Sequence, residues 1–551
     1  MPVIKIREET EQVVYPASGQ SNAAVIPLFV SSVGIKDGYY YRADLKTTKF
    51  SKVATFEEAY NEFAIKDPKG VFTDKNYYMI KDLLSRGLEV LVKPVDLSSA
   101  DDNMFPPVKH WDEEEGKYII DEDNAVVLPL YSWVDPTFLS GYKRAIGSLS
   151  MSDDLAKYKY RTGEDIIGHE SGETDLRPRF NYFDPKEGTV VDYHDFALTL
   201  QYLIIKGFYT ELKDKTRFNF KFMTTGSYEN VIADTSEIGY NTDEISTMIN
   251  LCAALKEIDK NSGRGDAMVL VDFASEITKK DDKIYQAINI LGDNLFLDND
   301  VEKWKFADCT YPWVIKKAKT SVFDADTESV NISSEITPIE FTGSYAYLKA
   351  FADFLNADEA NKSLDYMAIA GYARGSVGDS DDCTPIEDLG EIDMHLFQND
   401  SFSAGYDDAP VLALTINPII KCQDGMYRIW GNRIMLPLGK VNGEQVYADQ
   451  VKDCNYFLNV RHLVCDIKKE CYFASTRVSF EPNDDVTWFN FKSIVNPLLD
   501  NMVLNRGMEW YSWKRLPADS KGLMKAMLTI KPIEAVESFD ITVFIRNTDE
   551  Q

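Results

Sequence analysis

The chain has 551 residues, 44% hydrophobic and 12% aromatic, and 89 acidic against 59 basic residues give a net charge of −30. Such a composition is globular and long enough for roughly two to four domains; it excludes a disordered chain and disfavours one that coats nucleic acid, which needs cationic surface. The seven cysteines form no CxxC pair and are odd in number, and the five histidines form no ligand-like pair, so a disulfide framework and a zinc site are both disfavoured.

Residues 1–20 read as an arm. Val3, Ile4, Lys5, Ile6 and Arg7 suit one strand, Glu8, Glu9 and Glu11 end it, and Pro16–Gly19 has linker composition. The alternative is a frayed terminus. No basic-then-apolar leader opens the chain and no apolar run reaches membrane-spanning length, so a cytosolic protein without membrane insertion is expected. Residues 21–98 carry a buried strand from Ala24, a helix over Thr55–Ile65 with Thr55 as N-cap, a helix over Asn76–Arg86 closed by Gly87, and an apolar strand Leu88–Val95. Strand, helix, helix, strand indicates an α/β layer.

Residues 99–215 read as an inserted outer domain. Asp101–Asp123 is strongly acidic and suits a solvated loop, since no Gly-punctuated calcium loop appears in it. The HESGETD stretch at His169 offers a histidine among acids, but nothing there marks a nucleophile, and Tyr193–Tyr209 turns apolar and helical.

Residues 216–420 read as a central α/β domain. Thr216–Thr225 alternates like a strand, Asp243–Leu255 and Ile284–Leu291 suit helices, and Arg264-Gly265-Asp266 is a turn before the core strand Ala267–Phe273. Cys309–Val314 is a strand, Val322–Glu340 a polar connection, and Phe341–Leu355 a helix behind a Gly343 turn. Gly343-Ser344 has no following Lys-Ser/Thr pair, so it is no phosphate loop, and Gly375–Asp382 is a polar loop. Strands are expected at Ala413–Ile420 and Met426–Leu438, where Trp430-Gly431 marks a close backbone approach.

Residues 421–533 form the C-terminal domain. Its unit Tyr456–Trp513 has Val460, Leu463, Val464, Ile467 and Cys471 at helical spacing, then a Pro482-Asn483-Asp484 turn, then a helix halted by Gly507, within which Pro497 either kinks the helix or starts a second one. Strands Ala526–Ile533 and Ser538–Arg546 follow; residues 534–551 form a C-terminal arm whose Phe539, Ile541, Val543 and Ile545 share one face, with Glu534–Glu537 as its joint.

NVRHL at Asn459–Leu463, then FEPNDDVTW from Phe480, then a helix ending in an RG turn, resembles the C-terminal domain of phage contractile-tail sheath proteins. Ile416–Ile434 is similar to that family's iNP…G…WG-R segment, and RGDA at Arg264, YPW at Tyr311 and the Gly343 helix follow in the family's order. The resemblance implies an α/β (mixed α+β) multi-domain protein, with a C-terminal sheath domain of mixed sheet and flanking helices plus an inserted outer domain. It implies a structural protomer without cofactor or catalytic residues, polymerised as stacked sixfold rings around a tail tube protein. Baseplate and tail terminator proteins are the implied partners at the ends, and the virion tail, assembled in the host cytoplasm, is its place. Its N- and C-terminal arms would each complete a sheet in a neighbour. Arg461, Lys468 and Lys469 are candidates for the tube-facing surface, against the alternative of an ordinary packing helix. Two other readings stand: the sheath of a bacterial injection or secretion system, and a soluble cytosolic α/β enzyme with an acidic surface.

Overall fold

The computed structural model describes residues 20–30, 33–36, 39–42, 46–60, 75–96, 110–112, 117–119, 211–226, 263–272, 301–324, 329–386, 416–435, 439–441, 444–446, 457–517, 520, 522–533 and 535. Both expected arms, most of the expected insertion, and the helices expected at Asp243–Leu255 and Ile284–Leu291 lie outside these residues.

The architecture is mixed α/β. Its centre is a six-stranded sheet in the order Ala307–Asp308, Met268–Leu270, Phe222–Met223, Ala24–Val30, Val90–Asp96, Thr48–Phe50. The first five run parallel and the last is antiparallel to its neighbour. Taken along the chain, the parallel strands have the 2-1-3-4-5 order of a flavodoxin-like doubly wound sheet. Such sheets are buried on both faces, which explains the unbroken apolar runs: Ala24, Val25, Ile26, Leu28 and Val30 are all fully buried.

The helix Lys75–Ser85 packs on this sheet through Met79, Ile80, Leu83 and Leu84, and Gly87 ends it at a φ of +80°. The neighbouring helix begins at Val53 rather than at Thr55, whose hydroxyl donates to the Lys52 carbonyl, so Thr55 lies inside the first turn and is not its N-cap. Gly343–Ala357 is the helix expected there, capped by Thr342, which accepts from the Tyr345 amide. A Cβ on Gly343 would sit 1.7 Å from the Thr310 carbonyl oxygen, so the helix enters against the backbone beside the Tyr311-Pro312 cis bond.

Three segments differ from expectation. Among the described residues Thr216–Thr225 pairs as a strand only at Phe222–Met223, and Lys221 within it is fully buried. Val322–Glu340 is no loose connection: Val314–Asp324 and Ser329–Phe341 form a long antiparallel hairpin with a bulge between Lys319 and Ser321, gripped at its base by Cys383–Pro385. His110–Asp112 and Lys117–Ile119 form a small hairpin that joins Val33–Lys36 and Tyr39–Arg42 in one sheet, so part of the acidic stretch is attached to the layer.

The C-terminal unit has a core of its own. Tyr366, Leu463, Ile467, Ala474, Val495, Leu499, Met502 and Met508 cluster apart from the large core under the sheet. Two helices build it, Leu458–Val478 and Asp485–Leu504; the second runs unbroken through Pro497. Asp484 caps it by accepting from the Thr487 amide.

Candidate functional site

The motif residues behind the resemblance meet in one hydrogen-bonded line. Asn417 accepts from the Arg433 amide and donates to the Arg433 carbonyl and to Asp308. It holds the Trp430-Gly431 turn so closely that a Cβ on Gly431 would lie 2.5 Å from its Oδ1. One residue on, Asn432 donates from Nδ2 to Asn459 Oδ1 and accepts the Asn459 amide. Asn432 thereby satisfies an amide at the start of the Leu458–Val478 helix, whose own N-cap residue Phe457 offers no side-chain acceptor.

Beyond the second helix, Arg506 and Gly507 turn the chain, with Arg506 at a φ of 64° and Tyr366 packed where a Gly507 side chain would stand. The strands Met508–Leu516 and Lys525–Pro532 then pair antiparallel as a sheet of two, and among the described residues no third strand joins either edge. One face lies on the Asp485–Leu504 helix. Trp513 Nε1 donates to Asn496, the Tyr511 hydroxyl donates to Asp500, and Trp513 meets Trp488 edge-on at 5.6 Å. Both edges leave main-chain donors and acceptors unpaired within the described chain, ready for an added strand.

A buried ion network joins this unit to the sheet. Lys221 is fully buried; its ammonium donates to Asp466 Oδ2 at 2.8 Å and to Asp365 Oδ2 and the Asp365 carbonyl at 2.9 Å. Lys469 donates to the Ser21 carbonyl, and Gln20 Nε2 to the Asp466 carbonyl and to Glu470. The first described residues of the chain, at the end of the expected arm, are therefore fastened to the Leu458–Val478 helix, the neighbour of the helix on which the two-stranded sheet lies.

Burial dominates the electrostatics here. It pushes the Asp466 carboxyl up to about 6, with the Asp365 charge adding and Lys221 opposing. It also pulls on the Lys221 ammonium, but Asp365 and Asp466 more than offset this and hold it above its ordinary value. His462, fully buried against Phe222 and Tyr347, falls well below the usual imidazole range through burial and the nearby Lys221 and Lys469, so it is neutral.

Of the three cations expected to face a tube, Arg461 and Lys469 are buried inside the protomer, Arg461 against the Phe306 ring and Lys469 on Ser21; Lys468 alone of the three is exposed. The Leu458–Val478 helix turns Arg461 and Lys469 inward, toward Phe306 and the Ser21 carbonyl. Val3, Ile4, Lys5, Ile6, Arg7, Phe539, Ile541, Val543 and Ile545 lie outside the described residues. Lys221 and Asp365 were missed. Their partners are 144 and 245 residues apart in sequence, and no local pattern encodes that.

The place where doubly wound sheets take ligands is also accounted for. The switch point falls between Ala24–Val30 and Phe222–Met223, and Asn76 Nδ2 spans it, donating to the Pro27 and Thr225 carbonyls at 2.9 Å each. Beside it Asp272 accepts the Ser344 amide and the Thr224 hydroxyl. Asn76 and Asp272 thus tie together the described residues at that point.

No protein-family profile and no curated protein matches the chain. Solved structures do. The PVC sheath complex of an extracellular contractile injection system, in its contracted state, is 12% identical at a TM-score of 0.43, covering 100% of this chain and 98% of that one. The sixfold-symmetrised baseplate of the anti-feeding prophage (AFP) is 11% identical at 0.43, over 100% and 99%. The AFP helical sheath in the contracted state is 11% identical at 0.42, over 99% of each chain. At these values the likeness transfers no residue role to this chain.

Proposed function

We propose that the chain is a structural protomer of a contractile tail sheath. It polymerises around a tube protein and contracts to drive that tube through a cell envelope, as a phage does to deliver its genome. The observation that carries this is the two-stranded sheet Met508–Leu516/Lys525–Pro532, which among the described residues has no third strand at either edge, in the unit whose Leu458–Val478 helix is fastened to Gln20 and Ser21 at the root of the N-terminal arm. A pair of strands alone is marginal in water and exposes pairing groups; strands from other copies complete it. Residues 3–7 and 539–545 are the donors in this reading, with Pro16–Gly19 and Glu534–Glu537 as flexible joints. Main-chain hydrogen bonds then survive rotation of the bodies they connect. Lys468 is the remaining candidate for contact with the tube.

The test is electron microscopy of the purified full chain beside a chain lacking residues 1–15. The full chain is expected to form rings or tubes as concentration rises. The shortened chain is expected to fold with unchanged circular dichroism and remain dispersed. Normal assembly of the shortened chain would sink the arm reading.

A further inference from the structure

We propose that Lys221 is a positioning residue: with Asp365 and Asp466 it sets one angle between the C-terminal unit and the sheet, and so aims the open two-stranded edge relative to the arm root. Its backbone is part of the sheet, since its amide donates to Ala23 and its carbonyl accepts from Met268. Its ammonium instead ends in the other unit, on the helix at Asp466 and on Asp365, the residue before Tyr366 of the separate C-terminal core. The two cores meet across a seam rich in charge: Lys221, Asp365, Asp466, Lys469 and Glu470, all nine-tenths or more buried, with Gln20 and Ser21 at its edge. Apolar seams fit in many registers, whereas a buried ammonium has full satisfaction in one. A buried ion network of this kind contributes little net stability against apolar residues of equal volume; what it supplies is a unique arrangement. Polar seams between units of one chain otherwise permit relative motion. Further polar groups at the seam, both ring nitrogens of His462, the Tyr366 hydroxyl and Asp466 Oδ1, have no hydrogen-bond partner among the described residues. The seam therefore rests on the Lys221 geometry and not on saturated hydrogen bonding.

The role of this aim rests on the sheath reading, but the angle itself is measurable without assembly. The experiment places spin labels through non-natural amino acids at the exposed Ser51 and Ser475, one in each unit, in the full chain under dilute conditions. The parent is expected to give one narrow distance. The triple variant Lys221→Met with Asp365→Asn and Asp466→Leu, which leaves no member of the triad charged, is expected to keep its melting temperature or raise it, while the distance distribution broadens at least twofold or gains a second peak. Asp365→Asn alone, which removes one charge and keeps the volume, is expected to broaden it less. A narrow parental distance in the folded triple variant overturns the proposal, because packing alone would then fix the angle. Failure of the triple variant to fold overturns it too, because the network would then be a folding requirement. Tubes from a broadened variant would leave the angle finding intact and refute its link to assembly; a parent with one narrow distance that never polymerises refutes the sheath reading alone.

Discussion

Asp272 and Asp308 set the pH behaviour of the described residues. Both are fully buried, and burial pushes each carboxyl up to about 7 despite the Ser344 and Asn417 hydrogen bonds. The unfolded chain holds these groups near 4. Above pH 7 the native state carries charges it cannot solvate. As pH falls through 7 it takes up protons that the unfolded chain does not take up until about 4, so these residues add stability on acidification. Asp466, at about 6, acts in the same sense one unit lower. The unfolding free energy from urea titration is expected to rise between pH 8 and 5.5, by at most a few kcal/mol at roughly 1.4 kcal/mol per shifted unit, reduced by His462, whose imidazole takes up a proton in the unfolded chain but not in its buried native site. Asp308→Asn should flatten that rise; an unchanged slope would mean the carboxylate is not buried as described. Gly343 offers a second test. Its Cβ would meet the Thr310 backbone at 1.7 Å, and a backbone atom cannot rotate away. Gly343→Ala is expected to cost about 3 kcal/mol or more in thermal unfolding, the upper end for overpacking.

Among elements, those with a strong local signal were legible. The Phe341–Leu355 helix was expected from its apolar face and the Gly343 turn and is found at Gly343–Ala357; its Thr342 cap and the close approach at Gly343 emerge only in the fold. Asp484 was readable as a cap, and Asp484→Ala is expected to cost about 1 kcal/mol, with faster amide exchange confined to the first turn of Asp485–Leu504. Trp430-Gly431 was readable as a close approach, though its partner Asn417 was not. The long hairpin Val314–Asp324/Ser329–Phe341 was illegible because its strands are lysine- and serine-rich and no Asn-Gly or Asp-Gly pair marks its turn. Thr216–Thr225 alternates with period two, but that alternation does not show that Lys221 stands in a central parallel sheet, which has no solvent face. Arg461 and Lys469 were misplaced for a related reason: a helix packed on both a second helix and a sheet buries its charged stripe as well. Local periodicity reports amphipathicity and is silent on how many neighbours an element has.

At the scale of the molecule, a body with its own large core is joined by a charged seam to a smaller one that presents an unfinished sheet. That arrangement predicts complementation in solution. A synthetic peptide of residues 1–15, added in excess to the chain lacking them, is expected to slow amide exchange in Met508–Leu516 or Lys525–Pro532 by at least tenfold. Added to the intact chain, it should cap growth and shorten any tubes seen by microscopy. No change in exchange at either strand would place the arm's partner elsewhere. The hairpin gripped by Cys383–Pro385 has a mechanical side as well. Its shorter strand, of 11 residues, reaches about 37 Å at the usual rise of an antiparallel ribbon. Held at its base by Cys383–Pro385, a ribbon of that length has the reach of a lever: turning it by about 10° about the base would sweep a point that far away through about 6 Å, more than the spacing between adjacent strands. On the proposed sheath reading, a tilt of that size in each copy would amount to a full step of displacement at the ribbon's end.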